Sequence, residues 1–94
     1  MLSKLNFFLL VVVEWQGACL DENGSFVGTL PYKYHGKIKD RAACLRLCKQ
    51  EQGVTGCWHS SHDGMCKSYK GEVSIIKGRG SNKYWRCWKL TSLD

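Results

Sequence analysis

"CLRLCKQEQGVTGCWHSSHDGMCKSYKG", Cys44 to Gly71, holds four of the chain's six cysteines and two of its three histidines. Three chemistries use such a set: a metal site, a redox centre, or cross-links that staple a small fold. The choice decides the architecture. Structural zinc sites pair two closely spaced knuckles. Here only Cys44 and Cys48 are close, Cys57 and Cys66 lie far apart in the chain, and His59 and His62 suit a ligand pair only loosely. No C-x-x-C is present, so the redox reading lacks its usual dithiol. Ser60, Ser61, His62 and Asp63 have the letters of a hydrolase triad. A triad needs side chains converging from separate places, whereas neighbours in one turn point apart. The residues therefore predict no enzyme, no metal and no cofactor, and staples remain.

Working outward, Asp40 is a good N-cap ahead of "RAACLRLCKQEQ", a run free of glycine and proline, and Gly53 supplies the stop. Ala43, Cys44, Leu47 and Cys48 share one stripe at helical spacing. Residues four apart on a helix have Cβ atoms ~5–6 Å apart, against the ~3.8 Å a disulfide prefers. Cys44 and Cys48 should thus each reach outward to a neighbouring sheet. "VTGCWHS" and "MCKSYK" read as two strands joined by the turn Ser61-His62-Asp63-Gly64. Cys57 and Cys66 sit on these strands, either to receive the helix cysteines or to face each other across the hairpin. "EVSII" is a further strand candidate, "KGRGSN" reads as a loop, and "KYWRCWKL" as a strong last strand. A short strand is expected near Cys19 and another around Tyr32 to Tyr34. The expected fold is α+β: one helix packed on a small curved antiparallel sheet, stapled by disulfides.

The N-terminus "MLSKLNFFLLVVVEWQGAC" places Lys4 before the apolar run Phe7 to Val13, with small residues Gly17 and Ala18 after it. This layout predicts a secretory signal over residues 1–18 and a secreted, extracellular domain over 19–94. Without export, the same run reads as an N-terminal strand or a short anchor. It falls short of the ~20 apolar residues of a membrane span, so no transmembrane segment is expected. Residues 19–94 keep 13 Lys and Arg against 7 Asp and Glu, a net +6. That charge suits solubility or acidic extracellular partners. Specific nucleic-acid binding is not expected of a secreted domain. In so short a chain a core alone gives thin stability, which is reason enough for six cysteines. Asn23-Gly24-Ser25 is an N-glycosylation acceptor motif.

The helix "DRAACLRLC", then "GVTGCWH", "GMCKSYKG" and "SNKYWRCWKL", with Cys19 opening and Cys87 closing the set, resemble the PAN/apple domain family over about residues 19–90. The resemblance implies a helix on a curved antiparallel sheet and the pairs Cys19–Cys87, Cys44–Cys66 and Cys48–Cys57. It also implies a non-enzymatic binding module for carbohydrate or protein. The hairpin between Cys57 and Cys66 is short for the family, and "CWHSS" lacks the apolar and aromatic run often found there.

Strand alternation adds a candidate surface. If Cys57, Cys66 and Cys87 face the helix, then Trp58, Tyr69 and Trp88 share the opposite face. There they form either a platform for a sugar ring or partner side chain, or a second small core under the 20–39 segment. Seven of the 13 basic residues lie between Lys67 and Lys89, and Arg79, Lys83 and Arg86 are the candidate contacts for an acidic glycan. The opposing expectations are an ordinary solvated loop and, from another functional class, a basic disulfide-rich toxin or defence peptide acting on membranes.

Overall fold

A computed structural model describes residues 10–27, 32–71 and 73–92. Among the described residues, seven strands and one helix are arranged as β1 (Leu10–Gln16), β2 (Ala18–Leu20), β3 (Lys33–Lys37), α1 (Arg41–Gln50), β4 (Val54–Ser60), β5 (Met65–Lys70), β6 (Lys77–Arg79) and β7 (Trp85–Ser92). Five strands form one sheet in the order β1-β7-β4-β5-β3, and β2 and β6 form a two-stranded ribbon. Every pairing is antiparallel.

Helix α1 begins where its cap predicts. The Asp40 carboxylate accepts from the Ala42 N–H at 3.1 Å, satisfying a donor the first turn leaves open. Cys44 and Cys48 are its buried residues and lie against the sheet. At the far end, Glu51 is bridged by Lys33 of β3 and, at 3.3 Å, by Lys70 of β5. This ion network ties the helix terminus to the edge strand.

Three disulfides join Cys19 to Cys87, Cys44 to Cys66 and Cys48 to Cys57. Both helix cysteines thus reach the sheet, and Cys57 and Cys66 do not pair with each other. The first bridge crosses from the ribbon to β7. In the loop-closure picture, the widest span restricts the unfolded chain most, and this one covers 68 residues of separation.

The sheet has two packed faces. On the helix side lie Cys44, Cys48, Val54, Cys57, Cys66, Trp88 and Leu90. On the other lie Cys19, Val27, Trp58, Tyr69, Val73, Ile75 and Cys87. Gly78 in β6 marks where the ribbon crosses the sheet. A Cβ there would stand 2.6 Å from the Trp15 Cβ and 2.9 Å from the Cys87 Cβ, so only hydrogen fits.

Two sequence expectations differ from this arrangement. Residues 73–76 are not strand, and the strand begins just after them. "KGR" is β6 rather than loop, because pairing with β2 supplies the order that its polar sequence does not signal. Leu10–Gln16, within the stretch expected as a secretion signal or else an N-terminal strand, form β1 and pair with β7 along seven residues, and residues 1–9 of that stretch lie outside the described residues. There the Glu14 carboxylate accepts from the Trp88 indole N–H at 2.6 Å.

Candidate binding cleft

Antiparallel register builds the site. Trp58 on β4 stands opposite Lys67 on β5 and, on its other side, opposite Cys87 on β7. Directly opposed residues share a face, so this row lies away from the helix. A cleft of about 440 Å³ opens here, lined by Ala18, Cys19, Phe26, Trp58, Lys67, Tyr69 and Trp85. That volume falls within the range of small-molecule sites, about 300–1,000 Å³.

The walls are aromatic. Trp58 and Trp85 meet edge to face with centroids 5.2 Å apart, and Tyr32 meets Tyr69 in the same way at 6.3 Å. Such pairs hold each ring in a fixed orientation. Phe26 is 66% exposed and Tyr32 43%, open flanks beside the buried rings of Trp58 and Tyr69. Lys67 places its ammonium 4.4 Å from the Tyr32 centroid and 5.3 Å from that of Trp58. Tyr69 lies deepest. Burial, reinforced by Tyr32, pushes its phenol well above the ordinary tyrosine range, so the hydroxyl stays protonated.

Trp58 and Tyr69 therefore meet at the expected face, but Trp88 does not join them. It is 2% exposed and packs on the helix side. The error lies in the parity of β7. Cys87 bonds to Cys19 on the helix-free side, which turns Trp88 toward the helix and brings Trp85 to the cleft. Lys67 and Trp85 were within reach of the same reasoning. Lys67 sits opposite Trp58, and Trp85 shares the parity of Cys87.

The expected basic contacts differ in their surroundings. Arg86 Nη1 donates to the carbonyls of Lys83 at 2.9 Å and Trp85 at 2.8 Å, and its Nε lies 3.7 Å from Glu14. Arg41 Nη2 donates to the Tyr84 carbonyl at 2.9 Å and to Ser61 Oγ at 3.1 Å. Two guanidiniums thus hold the 83–85 turn, and the planar fork of Arg86 faces its own backbone. The Lys83 ammonium lies 5.3 Å from the Tyr84 ring. Arg79 is exposed on β6 and lines a shallow depression with Asp21 and Glu22.

Asn23 is exposed in a tight turn organised by Asp21, whose carboxylate accepts from the N–H groups of Asn23 at 2.9 Å and Ser25 at 3.0 Å. At the β4–β5 turn, the Asp63 carboxyl is held below its usual range, chiefly by the Met65 N–H and then by Ser60. His62 tilts over Tyr84 at 5.3 Å.

The sulfurs of Cys44, Cys48, Cys57 and Cys66 all lie within 4.8 Å of one another. As two disulfides they carry no thiolate, the form that binds zinc. No family model matches the chain, and neither a curated protein nor a solved structure does so.

Proposed function

We propose that the protein is a secreted, non-enzymatic recognition module of the PAN/apple type that binds carbohydrate through the aromatic cleft. The observation that carries this reading is the grouping of Trp58, Trp85, Tyr69 and Phe26 around about 440 Å³. Sugar rings present flat C–H faces that pack on aromatic side chains, and polar groups at the rim fix their orientation. Three disulfides suit an oxidising compartment. Export is part of the proposal. The signal character and strand β1 share residues 10–16, so the cleavage site decides whether β1 accompanies the exported domain.

A glycan array probed with the exported full chain tests the reading, with tryptophan fluorescence as the second readout. Saccharide binding lost in Trp58→Ala, with all three disulfides intact by mass, supports it. Absence of saccharide binding together with capture of a defined protein ligand at the same rings would replace carbohydrate by a protein partner.

A further inference from the structure

We infer that the cleft selects acidic saccharides, with Lys67 as the residue that reads the acid group; this rests on the carbohydrate reading above. Among the described residues, Lys67 is the one charged side chain lining the cleft. Among the described residues, the ion pairs engage Lys33 and Lys70 with Glu51, and Arg86 with Glu14. Lys67 takes part in none of them. Its ammonium faces the rings of Tyr32 and Trp58, a favourable but incomplete substitute for a counter-charge.

This arrangement narrows the ligand class. Aromatic cages often take cations, but here the chain's own ammonium occupies that position and repels a second positive charge. A neutral sugar would strip water from Lys67 and return no charge to it. A hexuronic acid or a sugar 6-sulfate carries its anion at the ring edge. The ring then stacks on Trp58 and Trp85 while the anion meets Nζ beside it. The patch at Arg79, Lys83 and Arg86 is not needed, and the Arg86 fork is already engaged by carbonyls.

The test titrates the full chain with glucuronate, glucose 6-sulfate and glucose, reading tryptophan fluorescence at low and high salt. Both acids are expected to bind about tenfold or more tightly than glucose, the scale of one hydrogen bond to a charged group. That preference should shrink with salt. Comparing the two acids separates carboxylate from sulfate. Lys67→Met keeps the apolar stem and removes the charge. It should bring both acids to the glucose level, with glucose bound no more weakly than before, and Lys67→Arg should keep the preference. Disulfide mass and circular dichroism verify that each variant folds. Glucose binding equal to that of the acids, or an acid preference that survives in Lys67→Met, overturns the inference and leaves the carbohydrate reading standing. Failure of every sugar on the array overturns both. Phenylacetate binding as tightly as glucuronate, and lost in Lys67→Met, would show a site for ring acids in general and overturn the saccharide class.

Discussion

The two faces of the sheet use the same kinds of residue for different ends. Beneath the helix, two disulfides, Trp88 and Leu90 are packed to nearly complete burial. On the opposite face one disulfide, Trp58 and Tyr69 form a comparable floor, but Phe26 stays open and Lys67 brings a charge among the rings. The helix packs on β4 and β5 of the first face. Among the described residues, a short two-stranded ribbon and its flanking segments approach the second. The difference teaches that a cleft needs no special residues. It needs a cover too small to finish the burial.

That contrast breaks most sharply at the two tryptophans. Trp88→Ala should cost about 3–5 kcal/mol, the range for emptying a closed aromatic site, read as a shift of the urea midpoint. An equal cost for Trp58→Ala would mean that both faces are closed cores. The next effect in size comes from Glu14→Ala. It leaves the Trp88 indole N–H without its acceptor and removes the partner of Arg86. A loss of about 1–3 kcal/mol is expected. A chain beginning at Gly17 should lose at least as much as Glu14→Ala relative to one beginning at Leu10, and equal midpoints for the two would show that β1 adds nothing. Trp58→Ala itself should cost less than Trp88→Ala, because part of its ring borders the cleft rather than packed neighbours, while abolishing ring-ligand binding.

The smallest effect is pH-dependent and belongs to the β3 edge. Burial lowers the His35 pKa, with Glu51 opposing and Lys33 and Lys70 assisting. Its Nε2 lies 3.0 Å from Ser68 Oγ. A histidine whose folded pKa is depressed binds its proton more readily when unfolded. Its contribution is therefore present above the unfolded value of 6.5 and is lost as pH falls through and below it. His35→Gln should flatten the loss of stability between about pH 7 and pH 5. An unchanged slope would assign that loss to another group.

Much of this was legible in the sequence, and the failures share a cause. Helix α1 and the β4–β5 hairpin announce themselves through local chemistry, the Asp40 cap and the 61–64 turn. Trp58 and Tyr69 followed from alternation within strands whose facing was correctly anchored by Cys57 and Cys66. On β7 the anchor was Cys87, and its facing depends on a partner 68 residues away. Alternation then carried one wrong parity to Trp88 and hid Trp85. Strand β6 had no periodic signal, since its order comes from pairing with β2. The apolar run at β1 satisfies a secretion signal and a strand equally well, because both accept contiguous apolar residues.

The pairing of Leu10 with Ser92 has a mechanical consequence. Tension applied at these two residues acts on adjacent ends of one antiparallel pair. The ladder then opens one rung at a time, a peeling geometry that resists far less than sliding two strands past each other. The fraying front can advance along β1 only as far as the Cys19–Cys87 bond, a covalent stop. Beyond it the helix, the hairpin and the cleft floor carry no load. Under tension the domain would yield about one strand's length and keep the face on which its ligand sits.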